Sequence, residues 1–283
     1  MSWTVLSNIS QLIKTKIETF GIPLKKWDVK INYGIKTGFN EAFIITEEKR
    51  KELLEKCPEA DSIIRPILRG RDIQKYNAKW AELYLINTHT GFLNQNGEIV
   101  QPIKIEDYTA VKNHLDKYYT QLSSRQDKGV TPYHLRSCIY TEEFFKPKII
   151  WKRIGSVLRF SYDKTGAFCL DSTCFATGKD IKFLVGYLNS TISKRELLNN
   201  APKTGTGDVI TSVQALEPLL IPMANEDQKN EISVLVDKCL DDISNENFTR
   251  IKEYEYEIDK IIFSIFMLTE DEIHYITQSN TDD

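Results

Sequence analysis

The run from Asn32 to Ile45 restricts the fold of this chain more than any other stretch. Ile31, Tyr33 and Ile35 alternate at the strand period, and Phe43, Ile44 and Ile45 form an apolar run after a polar interval. Between them stand Gly34, Lys36, Thr37, Gly38 and Asn40. The two glycines can supply backbone with φ > 0 and allow another chain or a ligand to approach closely. Amide, hydroxyl and ammonium groups in this density suit phosphates and base edges. The segment therefore predicts an opening strand pair, a β-hairpin whose turn is either ordinary and solvated or a binding loop.

Charge patterning is the second constraint. The 283 residues hold 37 basic and 40 acidic side chains, but residues 224–283 contain 5 and 16 of them, leaving 32 and 24 in the first 223. A basic body with an acidic tail needs a reason, and either a soluble acidic surface or an anionic partner for the body supplies one. A hydrophobic content of 41% marks a globular chain. No apolar run reaches the roughly 20 residues of a membrane span, and no secretory signal opens the chain. Five cysteines, at 57, 138, 169, 174 and 239, form no CxxC pair, and the four histidines form no cluster with them. They support neither a zinc site nor a disulfide framework, and reduced thiols in the cytoplasm are expected. The abrupt start suggests a piece of a longer polypeptide or the product of a split gene.

Along the chain, helices are predicted over 3–21, stopped by Gly21 and Pro23, over 47–57, 106–122 and 179–199, with strands over 80–86, 148–154, 157–162 and 168–177. Residues 123–136 read as a polar, basic connection. Beyond 224 the pattern turns helical, with Asn225 as an N-cap, Ile232, Leu235, Val236, Cys239, Leu240 and Ile243 on one stripe, and a capping box at Thr269–Glu272. Such stripes want a partner, either the first helix or an adjoining domain.

No catalytic pattern emerges. Phosphate-binding loops, dinucleotide fingerprints, HExxH and nucleophile elbows are absent, as is the Asn- or Asp-Pro-Pro-Tyr stretch of an amino-methyltransferase. Acidic-x-Lys triplets at Asp28–Lys30, Glu47–Lys49 and Asp180–Lys182 are as frequent as chance allows in a chain with 27% charged residues. The histidines 89, 114, 134 and 274 are isolated, and surface or internally bonded roles account for them. Four basic, polar loops remain: Lys36, Thr37 and Asn40; Arg65, Arg69 and Arg71; Lys152, Arg153 and Arg159, beside Trp151; and Lys203, Thr204 and Thr206. Arginine can bond guanine edges or phosphates bidentately, and lysine and threonine suit phosphates. Against that, Arg69 and Arg71 can pair internally with Asp72, and Arg159 can lie on a solvated sheet face.

Gly34-Ile35-Lys36-Thr37-Gly38 with Asn40-Glu41-Ala42-Phe43, followed by Ile67-Leu68-Arg69-Gly70-Arg71-Asp72-Ile73, resembles the TaqI-like C-terminal specificity region of N6-adenine methyltransferases and type IIG restriction enzymes. Phe145 to Trp151 looks like that region's middle strand. Leu216 to Pro222 with Glu226, Gln228 and Ile232 is similar to a segment of type I specificity subunits, and Glu257 to Phe263 with Leu268 to Ile273 looks like the closing helices. The resemblance implies an α+β fold: a twisted mixed β-sheet with peripheral helices and a C-terminal helical segment. It divides the chain into a connecting helix (1–21), a DNA target-recognition domain (22–223) and a helical spacer or docking segment (224–283). It also implies a bacterial, cytoplasmic, membrane-free module that binds double-stranded DNA and works with a methyltransferase or nuclease domain. Lys36, Thr37, Asn40, Arg69, Arg71, Lys152, Arg153, Arg159, Lys203 and Thr204 are its candidate DNA contacts. S-adenosylmethionine and Mg would belong to the absent catalytic domains, not to this chain. A scaffold working through the C-terminal helices, or an enzyme with unrecognised catalytic residues, are the alternatives.

Overall fold

The computed structural model describes residues 8–94 and 96–278. The elements run α1 (Asn8–Phe20), β1 (Gly21–Pro23), β2 (Val29–Tyr33), α2 (Asn40–Phe43), β3 (Ile44–Thr46), α3 (Glu47–Lys56), β4 (Ile64–Leu68), β5 (Leu83–Ile86), β6 (Phe92–Leu93) and β7 (Ile99–Val100). They continue through α4 (Thr109–Asp116), α5 (Tyr119–Ser124), β8 (Lys148–Lys152), β9 (Ile154–Gly155), β10 (Phe160–Asp163), β11 (Phe168–Cys169) and β12 (Thr173–Gly178). The remainder is mainly helical: α6 (Ile181–Leu188), α7 (Thr191–Asn200), β13 (Val209–Ile210), α8 (Val213–Leu216), β14 (Leu220–Pro222), α9 (Glu226–Ser244), α10 (Ile251–Ile265) and α11 (Glu270–Gln278). The class is α+β, as expected. No helix among the described residues is long and apolar enough to cross a membrane.

Beside three two-stranded ladders, β1-β14, β13-β9 and β6-β7, most of the strand content is divided between two four-stranded sheets. One has the order β10-β8-β12-β2 and is antiparallel throughout; the other has the order β11-β4-β5-β3, with β11 parallel to β4. The first is the wall between two hydrophobic cores. Alternation along β8 sends Ile149 and Trp151 into a core shared with the helices and Ile150 into the other; on β12, Cys174 and Ala176 face the helices and Phe175 faces away. Burial on both faces explains why Lys148-Ile-Ile-Trp reads as a nearly unbroken apolar run. Each such large apolar side chain contributes roughly 1.5–3 kcal/mol of transfer free energy. Lys148, wholly inaccessible, is tolerated because it pairs with Asp163 directly across the ladder and donates to the Phe144 carbonyl at 2.7 Å.

The expected hairpin at 31–45 does not form. β2 belongs to the first sheet and β3 to the second, and the chain passes from one to the other through the short helix α2. The stretch 168–177, read as one strand, divides in the same way: β11 joins the second sheet, and β12 the first. The two crossings meet. The Gly34 amide donates to Thr173 O (3.0 Å), Ile35 N to Cys169 O (2.7 Å) and Asp171 N to Ile35 O (3.0 Å). A Cβ on Gly34 would stand 1.9 Å from the Leu170 carbonyl oxygen, so no other residue fits. Gly38 carries the left-handed backbone, with φ +70°.

Elsewhere, Trp80–Glu82 fall outside β5, Phe92–Leu93 pair with β7, and 106–122 splits into α4 and α5 around Lys117 and Tyr118. The helix over 179–199 is interrupted at Ser190, whose hydroxyl caps α7. Of the helix over 3–21, residues 3–7 lie outside the described residues.

The tail stripes find their partner within the chain. α9 and α10 pack on each other and on α6, and α11 on α1 and α7. Gly186 in α6 permits this approach: a Cβ there would meet Ile232 Cγ2 at 2.5 Å. One core accordingly takes Ile13 and Ile17 from α1, Phe183 and Tyr187 from α6, and Ile232, Ile258 and Ile276 from the tail. Both expected caps are present: Asn225 Oδ1 accepts from Gln228 N (2.9 Å), and Thr269 N donates to Glu272 Oε2 (2.7 Å).

Candidate nucleic-acid interface

The four loops separate into internally committed cations and free ones. In the first loop, Lys36 Nζ pairs with Asp127 Oδ2 at 2.7 Å. Thr37 is 2% exposed; its hydroxyl donates to Asn40 Oδ1 and accepts from Phe39 N, and its carbonyl accepts from Arg125 Nη1. Asn40 is exposed but tied to Thr37. This loop is fastened to residues 125–136, and the fastener is Arg125. Its Nη2 donates to the carbonyls of Pro132 and His134, both at 2.8 Å, and its guanidinium lies 4.7 Å from the Phe43 ring centroid. Burial pushes its pKa down despite nearby Asp127. Nothing in the aperiodic stretch 123–136 signals this role, because its partners are carbonyls distant in sequence.

In the second loop, Arg65 donates to the carbonyls of Asp61, Ser62 and Ile64. Arg69 grips Asp72 bidentately, Nε to Oδ2 at 3.0 Å and Nη2 to Oδ1 at 2.7 Å, while its own amide donates to Oδ2 at 2.8 Å. Arg71 is exposed and has no ion pair or side-chain hydrogen bond among the described residues. Of the two arginines offered as internal partners of Asp72, the structure selects Arg69.

In the third loop, Trp151 is buried, with Nε1 donating to Thr211 O at 2.7 Å. Lys152 is exposed and unpaired among the described residues, its stem lying over Gly70 and Gly155. Arg153 has no carboxylate partner; its guanidinium lies 5.9 Å from the Tyr33 ring centroid. Arg159 donates to Gln74 Oε1 at 2.6 Å. In the fourth, Lys203 is exposed and unpaired, whereas Thr204 builds its own turn, accepting from Asp208 N at 3.1 Å and meeting Thr206 Oγ1 at 2.8 Å.

Three of the four loops converge. Ser172 joins the second to the third, accepting from Gly70 N with its hydroxyl (3.2 Å) and from Arg153 N with its carbonyl (2.9 Å). β9 pairs with β13, Gly155 opposite Val209, which brings in the fourth. The segments carrying Arg71, Lys152, Arg153 and Lys203 are thereby joined at the surface where β8 leaves the central sheet. Asp72, the carboxylate next to Arg71 in the chain, is already taken by Arg69. Tyr33 and Gln214, joined by a 2.6 Å hydrogen bond from the phenol, belong to this surface and were not singled out by sequence.

Catalytic groups do not gather here. His114 and His134 turn Nε2 to the carbonyls of Ala42 and Ile103, and burial pushes His89 down to about 4. The five cysteines are unpaired, and no three His, Cys, Asp or Glu side chains among the described residues stand together as a metal site.

The sequence pattern of the TaqI-like C-terminal specificity domain matches residues 65–219, more than half of the chain. The chain belongs to that family. This specificity domain is 24% identical over 263 residues to the type II methyltransferase M.MjaIV of Methanocaldococcus jannaschii, covering 88% of this chain and 83% of the relative. Its fold is that of part of the type IIL restriction-modification enzyme MmeI, solved in complex with DNA (TM-score 0.67, 13% identity, 90% of this chain and 35% of that one). It also matches part of the type IIG restriction endonuclease BpuSI (TM-score 0.51, 14% identity, 90% and 32%). The specificity domain thus spans about a third of each of these two solved enzymes.

Proposed function

We propose that the chain is the duplex-DNA recognition module of a restriction–modification system, directing an adenine-N6 methyltransferase domain, and in fused enzymes a nuclease, to a short sequence. The observation that carries this reading is the joining of the segments that hold Arg71, Lys152, Arg153 and Lys203, four cations without acidic partners among the described residues. Cations already paired gain little from a phosphate, whereas free ones release the counterions of the duplex and bind. The exposed acids of α9 and α10, among them Glu231, Asp241, Glu253 and Glu257, would be repelled by phosphate. That supports a duplex on the body and a tail turned toward protein. The apolar stripes a scaffold would use are already packed on α6. Methyl transfer would be supplied by a companion domain that binds S-adenosylmethionine, and cleavage by one that binds Mg.

Binding of the full chain to a random-sequence duplex, followed by fluorescence anisotropy between 50 and 200 mM salt, tests this. Three or four phosphate contacts predict a log–log slope of about −3 to −4. Affinity that does not change with salt overturns the reading. A second reading, methyl transfer by this chain itself, is favoured by its alignment over 83% of a protein named as a methyltransferase. Incubation of the chain alone with duplex DNA and labelled S-adenosylmethionine decides it: incorporation supports that reading and its absence overturns it.

A further inference from the structure

The four free cations are not equally held. Lys152, Lys203 and Arg71 have no side-chain partner among the described residues, so they keep their rotamer freedom. Arg153 is different at every level. Its amide donates to Ser172 O at 2.9 Å and its carbonyl accepts from Thr211 N at 2.8 Å, which clamps the backbone between two other segments. Its guanidinium rests by the Tyr33 ring, and the Tyr33 hydroxyl is itself tied to Gln214 at the start of α8. A cation–π contact of this kind biases where the planar fork points while using none of its five N–H donors.

We infer that Arg153 is the base-reading residue of this surface, presenting its fork to the O6 and N7 edge of a guanine, with Tyr33 as its positioning platform. Resting on the DNA-binding reading above, the assignment divides the labour. Lys152, Lys203 and Arg71 take phosphates, for which a mobile point charge suffices, and Arg153 takes the base, for which direction matters. An arginine already oriented loses less freedom on binding than a free one. The exposed amide of Gln214 lies at the other end of the same platform.

Selection of the full chain against a pool of randomised duplexes, with sequencing of the bound fraction, tests this. The wild type is expected to select a motif with at least one G·C pair. Arg153→Lys is expected to relax that pair by about ten- to a hundredfold, with affinity for random duplex and the salt slope preserved. Tyr33→Leu should relax the same position, and Tyr33→Phe, which keeps the ring, should restore most of it. A folded Arg153→Lys that selects the wild-type motif unchanged, or loses random-duplex affinity to the same degree, makes Arg153 a phosphate contact and overturns the inference. Salt-dependent binding without any selected motif also overturns it while leaving the DNA reading intact. Absence of salt-dependent binding by the wild type overturns both.

Discussion

Gly34 and Leu170 touch so closely that one hydrogen on the Gly34 α-carbon is all the space allows: a methyl there would lie 1.9 Å from the Leu170 carbonyl oxygen. The contact is where two segments, each passing from one sheet to the other, are bonded together. Gly34→Ala must force them apart and strain the three hydrogen bonds around Ile35. A loss of about 2–3 kcal/mol or more is expected, read as a lower urea midpoint. An unchanged midpoint would show that the crossing can open without cost.

Arg69 and Arg71 stand two residues apart and should behave oppositely. Arg69→Ala removes a bidentate pair to Asp72, which is 5% exposed, and should cost about 1–3 kcal/mol of stability. Arg71→Ala should leave the melting temperature unchanged while weakening duplex binding and reducing the salt slope by about 1. Thermal melts beside binding isotherms separate the two effects.

Arg125→Met would leave the carbonyls of Thr37 and Pro132 without their donor, and that of His134 with only the Gly129 amide, in a largely buried site. A loss of about 2–4 kcal/mol is expected by chemical denaturation. Because the loop at Lys36 is moored through this arginine, its amides should also exchange faster with solvent. Retention of wild-type stability and exchange would mean another group takes over the mooring.

Stability should fall in acid through Glu143. Burial pushes this carboxyl up, but hydrogen bonds from Thr177, Lys146 and Lys30 outweigh it and hold the group at about 2, against an ordinary 4.5. A pKa depressed by folding stabilises fully above the unfolded value, and that stabilisation is lost as pH drops from about 4.5 towards 2. Melting temperature measured across that window should decline less steeply for Glu143→Gln than for the wild type; parallel curves would remove Glu143 from the acid response.

What could be read from residues alone was whatever is settled within a few positions of the chain. The capping pairs Asn225–Gln228 and Thr269–Glu272 and the tail stripe from Ile232 are local, and they stand where they were expected. Sheet membership is not local. Ile31 and Ile44 both carry strand character, yet their ladder partners, Ala176 and Leu85, sit in different sheets, and no period-two pattern encodes that choice. The same limit governs the surface: Lys152 and Lys203 could be picked out as basic loop residues, but the joining of their loops depends on Gly155 pairing with Val209. Tyr33 passed for a strand residue because its role comes from an arginine that reaches it only once β8 and β2 flank β12.

The turn from Lys203 to Asp208 is bonded mainly to itself, and a side chain added at Gly205 or Gly207 would meet nothing within 4 Å. Gly207, at φ +91°, asks for glycine only on backbone grounds. New side chains or a longer loop can therefore be written between β13 and α7 without repacking either core. Such a protein can change what it touches at that edge by small steps, each nearly silent in stability, while the crossing at Gly34 tolerates no such drift.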